Sequence, residues 1–284
     1  MFYTLGPEEV LETCAALAQP YLVGTGPHST NNLSLGLAWR RMLIDRQSDE
    51  NIEEPLIGWR WVSNSSEINY LDLMFDEDSR SCTRLDFSQP AASWTGTDDQ
   101  RIINDGWGLL FSQEPELGAI ASILITTIYS MTPPRYSGSG SLHARLGTVY
   151  INPNDSWRPI HIVECLVREL TRQMIWNDEA RYGHYPKQVR SFASSQLIRS
   201  SVDREMLSLP QALAEVVVGA EQLCYREKFL SGGFPGMSDT ELAEHSIVVS
   251  ERIRDLENIE NLTTNRFWKL LTTAEERLAV TTRQ

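Results

Sequence analysis

One stretch constrains the fold of this chain more than any other: Trp157 to Asp178, WRPIHIVECLVRELTRQMIWND. Pro159 suits a first helical turn, where a missing N–H forfeits no intrahelical bond. Val163, Leu166, Val167, Leu170 and Met174 follow at steps of three and four, which makes an apolar stripe of helical period. Residues so spaced stack on one face of a helix. His161, Glu164, Cys165, Arg168 and Arg172 therefore share a second line, with Glu169 beside them. A helix with one apolar face and one densely functional face is the element around which the remainder must pack.

Within it, Arg168-Glu169-Leu170-Thr171-Arg172 has the spacing of H-E-x-x-H, with arginine at both histidine positions. In H-E-x-x-H two imidazoles one turn apart grip a metal ion while the glutamate handles protons. A guanidinium has no lone pair to give and stays protonated, so Arg168 and Arg172 are not ordinary ligands. Two readings of the pair stay open. It clamps a carboxylate, from a peptide aspartate, a glutamate or a small diacid, through paired hydrogen bonds. Or it pairs with Glu164 and Glu169, as on many solvated helix faces. Glu169 is the candidate general base if it lies in a dry pocket.

Upstream of the helix runs SGSGSLHARLGTVYINPNDSW, and downstream runs WNDEARYGHYP. Together these segments resemble the H-E-x-x-H-type peptide β-hydroxylases, a family associated with modification of ribosomally made peptides and described as dependent on iron and 2-oxoglutarate. The matching pieces are Ser137–Ser141, a Gly/Ser-rich turn; Val149–Pro153, a strand ending in I-N-P; Trp157; and the helix from Leu166 to Asp178. The similarity spans Thr97 to Phe229. It implies a zincin-like central helix and a third metal ligand on the later segment LPQALAEVVVGAEQLCYREKF, Leu209 to Phe229. That segment has no histidine, and Ala214 stands at the ligand position. The resemblance also suggests Arg226 as an acid-binding residue. All three implied ligands are gone, so it implies the family scaffold without its metal site.

Improvised chemistry is the alternative. His161 and Glu164 share a helical face, and with Glu169 or His184 they are the candidate substitute ligands for Fe(II). Cys165, beside Arg168, is a candidate thiolate, although a free cysteine on a buried helix is more often a small hydrophobe. No G-x-S-x-G elbow supports a hydrolase serine.

A net charge of −13, at a pI near 4.9, argues against nucleic acid and anionic membrane surfaces, which both demand clustered Lys and Arg. It permits a basic or neutral peptide. The four cysteines, Cys14, Cys82, Cys165 and Cys224, are scattered without a C-x-x-C pair, which fits a reducing cytoplasm. The opening MFYTLGPEEVLETCAALA lacks a basic start and a long apolar core, so no signal peptide is expected. No apolar run reaches the roughly 18–20 residues that span a bilayer.

Along the chain, helices are expected over about Pro7–Ala18 and Asn32–Arg46. Trp59–Trp61 and Tyr70–Phe75 read as strands or a buried apolar turn, followed by a solvated turn at Asp76, Glu77 and Asp78, or less readily a calcium site. Pro90–Thr97 is a candidate boundary. A helix follows to Phe111, then one from Glu114 that includes Ile128 and Met131, then a loop over Ser130–Gly140 and a strand over Leu146–Ile151. Arg190–Leu207 carries arginines and serines, and Leu209–Phe229 is a central helix. Ser238-Asp-Thr-Glu241 is a capping box that opens the first of two final helices, expected as a solvated cap.

The expectation is an α+β, mostly α fold, a helical core with a small sheet. Residues 1–96 form an N-terminal segment and 97–284 the domain of the central helix. The implied function is that of a metal-free, catalytically degenerate relative. It would bind a precursor peptide or pair with an active homologous subunit, as a hetero- or homodimer, and no cofactor is expected. The alternative is an active iron and 2-oxoglutarate-dependent hydroxylase with substitute ligands.

Overall fold

The computed structural model describes residues 4–22, 32–47, 59–63, 65–78, 96–130, 138–141, 143, 145–200, 206–229 and 237–281. Helices dominate, with one four-stranded sheet and one hairpin, so the fold is α+β and mostly α. Packing divides the chain into two compact units, one from Pro7–Asp78 and Gln89–Asn177, the other mainly from Asp178–Gln284. Pro7–Asp78 belongs to the unit that holds the sheet. Residues 91–95, like 23–31, 48–58, 79–90, 131–137 and 231–236, lie outside the described residues, as does Cys82.

In the N-terminal unit α1 (Pro7–Ala18) and α2 (Asn32–Gln47) come first, then β1 (Arg60–Val62) and α3 (Ser65–Asp78). The helix α3 replaces the strand expected at Tyr70–Phe75. Leu71-Asp72-Leu73 mimics a two-residue period, yet the residues that bury are Ile68 and Leu71, three apart, while Leu73 is exposed. Asp76–Asp78 continue the same helix in place of a turn, and the calcium alternative rests on side chains outside the described residues.

Next come α4 (Gly96–Gln113) and α5 (Pro115–Leu124), with Pro115 at the first helical position. The helix α5 stops before Ile128, which lies instead in β2 (Thr127–Tyr129), all buried; Thr-Ile-Tyr favours strand once the helix has ended. Then follow β3 (Gly138–Ser141) and β4 (Thr148–Asn152). The sheet runs β1-β2-β4-β3, parallel across its first three strands and antiparallel at β3. The Gly/Ser segment read as a turn is thus an edge strand, paired from Gly138 opposite Asn152 to Ser141 opposite Val149. Its small side chains leave room above it for the long helix α6 (Pro159–Tyr182).

The helix α6 is enclosed. The polar face is buried with the apolar stripe: Glu164, Arg168, Glu169, Thr171, Arg172, Gln173 and Asn177 are all at most 5% exposed. Gln173 also ties it to the sheet, since its Oε1 accepts from Gly147 N at 2.9 Å in the turn before β4. Gly147 needs its φ of +83°, and a Cβ there would meet Thr126 Oγ1 at 2.7 Å.

The C-terminal unit holds α7 (Arg190–Ser195), a hairpin of β5 (Leu197–Arg199) and β6 (Met206–Ser208), then α8 (Leu209–Phe229), α9 (Asp239–Arg254), α10 (Ile259–Leu262) and α11 (Asn265–Thr281). The hairpin lies within Arg190–Leu207, where the sequence offers only arginines and serines as a pattern. Helix α8 is buried along most of its length, with Val216, Val217 and Val218 inside. The capping box is present: Ser238 Oγ accepts from Glu241 N, and Glu241 Oε2 accepts from Ser238 N at 2.8 Å. The helices α9 and α11 are more than a cap, for both bury an apolar side (Leu242, Val249 and Ile253; Phe267, Leu270 and Leu271) in this unit. At α8–α9 the backbones approach so closely that a Cβ on Gly219 would lie 2.0 Å from Ser246 Oγ.

Candidate functional site

The site begins with the entry to α6. Trp157 N donates to Asn154 O at 3.0 Å, which turns the chain after Ile151-Asn152-Pro153. Pro159 occupies the first helical position, so Arg158 is the N-cap and His161 is N3. His161 Nδ1 accepts from Arg158 N at 3.0 Å, the bond that glutamate makes in a capping box. Burial, with the Arg158 charge second, pulls the imidazole down to about 4, so it is neutral at pH 7. His161 therefore serves the helix end with the nitrogen lone pair that metal binding would require.

About two turns after His161 comes the centre. Glu169 is fully buried and accepts five hydrogen bonds: from Ser139 Oγ at 2.8 Å, Ser141 Oγ at 2.9 Å, Arg168 Nε at 2.8 Å, and Arg172 Nη1 to Oε1 at 3.1 Å and to Oε2 at 3.0 Å. Arg168 also donates through Nη2 to Ser139 Oγ at 2.9 Å and to Ser139 O. Burial works to raise the carboxyl, but the Arg172 and Arg168 charges and the Ser139 hydroxyl outweigh it and hold Glu169 at about 2. A carboxylate has about four lone-pair sites. With both oxygens engaged and so low an affinity for protons, Glu169 is a poor general base at neutral pH.

Spacing brought Arg168, Glu169 and Arg172 to one place, and they do meet. What the sequence reading missed are Ser139 and Ser141. Their signal was present: two serines two apart lie on one face of a strand. It is visible only once Gly138–Ser141 is read as a strand.

Of the other candidates, Cys165 adjoins the cluster through a hydrogen bond with Ser139. His184 belongs to the C-terminal unit, where Nε2 lies 2.8 Å from Asp178 Oδ2. That carboxylate also takes Arg266, through Nε at 2.8 Å and through Nη2. Burial works against its ionisation, but the His184 and Arg266 bonds hold Asp178 below the usual carboxylate range. Arg226 donates through Nη1 to Met237 O and to Asp239 Oδ1, both at 2.9 Å, which fastens α8 to the start of α9. Ala214 is buried on α8. Glu164 is 1% exposed on α6. Burial pushes the Cys165 thiol up to about 12, against the weaker pull of Arg168, so it is no thiolate at neutral pH.

The residues at the positions implied for an iron ligand set do not fit one. Arg168 and Arg172 offer no lone pair, Ala214 offers no donor, and both Glu169 oxygens are taken. Among the described residues no group of three or more His, Cys, Asp or Glu is placed to hold a metal ion, and none of the helices is long and apolar enough to cross a membrane.

No family model matches this chain, and no curated protein matches it.

Proposed function

We propose that the chain is a metal-free binding subunit in the modification of ribosomally made peptides, a catalytically degenerate relative of the peptide β-hydroxylases. In this reading it holds a precursor peptide or pairs with an active homologous subunit in the cytoplasm, as a hetero- or homodimer. The observation that carries the proposal is the closure of Glu169. The two guanidiniums that replace the histidines turn onto the chain's own Glu169. Two cations beside one anion take up the electrostatic place that the resemblance gives to a divalent ion.

A binding role needs a surface. On the hairpin of the C-terminal unit Ile198 and Leu207 point inward. Leu197 and Met206 lie on the other face at 55% and 48% exposure, and Phe192 of α7 is 56% exposed. Large apolar side chains grouped outside a core suit a partner contact. The test is to mix the purified chain with an active homologue and, separately, with its precursor peptide. We expect binding at micromolar concentration, with a change in the homologue's activity or stability, and weaker binding by Leu197→Glu. The absence of micromolar binding to either component overturns the proposal.

A further inference from the structure

We infer that Arg40 anchors a binding site in the N-terminal unit for an anion that presents two oxygens, a carboxylate or a phosphate group. This stands independently of the proposed function, since it uses neither the α6 cluster nor the hairpin.

Arg40 lies on α2 and is 8% exposed. Its Nε and Nη2 are sealed from solvent and have no hydrogen-bond partner. These two nitrogens share one edge of the guanidinium, the edge that grips a carboxylate or phosphate through two parallel bonds. The same chain shows what that edge does elsewhere. Arg266 holds both oxygens of Asp178 through Nε and Nη2, and Arg254 holds both oxygens of Glu275 through the same pair of atoms. Arg40 presents this edge with nothing on it.

The surroundings sharpen the case. Gly36, Arg40, Leu43 and Gln47 are spaced four, three and four apart and share one line on α2. A Cβ at Gly36 would lie 3.8 Å from Ile123 Cγ1, and one at Gly147 would lie 3.0 Å from Leu43 Cδ1. Gln47 Nε2 donates to Leu146 O at 3.0 Å. The line therefore faces the end of α5 and the turn before β4. Burial draws the guanidinium down to about 10. A cation so placed keeps its charge at pH 7 and has no hydrogen-bond partner on Nε or Nη2 among the described residues, a costly state unless an anion joins it. At a buried guanidinium that attraction is weakly screened.

The experiment is isothermal titration of the full chain with acetate and, separately, with inorganic phosphate, at constant ionic strength in sodium chloride. Arg40→Met keeps the stem and removes the charge. Arg40→Lys keeps the charge and removes the paired donors. We expect the wild type to bind one of the two anions at least about tenfold more tightly than either variant, and the tighter anion identifies carboxylate or phosphate as the group recognised. Circular dichroism shows which variants fold, and if Arg40→Met does not, Arg40→Lys alone decides. Equal binding by the wild type and a folded variant, or no binding of either anion to the wild type, overturns the inference.

Discussion

At the scale of single residues, the arrangement around Glu169 makes its charge a condition of stability. Removing one member of a buried ionic network strands the others, at a cost of about 3–5 kcal/mol. Glu169→Gln leaves Arg168 and Arg172 buried without their counter-charge, so urea unfolding should show a loss of that size at pH 7. The acid limb follows from the same bonds. Glu169 titrates at about 2 when folded against an ordinary 4.5, so the folded chain holds fewer protons in between. Its contribution is complete above 4.5 and is lost as pH falls towards 2. His161, a base lowered from 6.5 to about 4, also costs stability as pH falls, but across that higher window. Unfolding midpoints against pH should therefore decline in two stages, with Glu169→Gln flattening the lower stage and His161→Gln the upper. A lower stage unchanged in Glu169→Gln contradicts the assignment. The meeting of Arg168, Glu169 and Arg172 was legible from spacing alone. The closing of the arginines on Glu169 was one of the two readings that spacing left open; that Ser139 and Ser141 would join it, and that His161 would cap its own helix, was not legible, because both depend on structure outside the R-E-x-x-R segment.

At the scale of elements, the joint between β3 and α6 is the arrangement that matters. Helices with strong period or punctuation (α1, α2, α6, α8 and α9) were readable, since Pro159 and the Ser238 box mark their starts. Three segments misled for identifiable reasons. Leu71-Asp72-Leu73 alternates like a strand inside α3. Apolar residues after Leu124 continue a helical period into β2. Gly138–Ser141 has turn composition, yet it is held as a strand by β4 on one side and by Glu169 and Arg168 above. Ser139→Ala and Ser141→Ala each remove a bond to a buried charge, worth about 1.5–3 kcal/mol. Because both act on one carboxylate, their effects should not add to that of Glu169→Gln in a double-mutant cycle. Simple additivity in chemical denaturation would mean that β3 is held by its ladder alone.

At the scale of the whole molecule, the chain divides into two compact units, and along the sequence one division falls between Asn177 and Asp178. The N-terminal unit carries the sheet, the α6 cluster and Arg40. The C-terminal unit carries His184, Arg226, Ala214 and the exposed hairpin face. The sequence showed the mostly helical class and the central helix; the pairing of β1 with β2, a contact between distant segments, left no local pattern to read. The central claim is that the α6 cluster has taken over the position of a metal. Its most direct test is metal content by mass spectrometry on protein purified without oxygen, reconstituted with ferrous iron and washed. The account predicts iron far below one equivalent, unchanged by His161→Ala or His184→Ala. Near-stoichiometric iron that is lost on either substitution would contradict it.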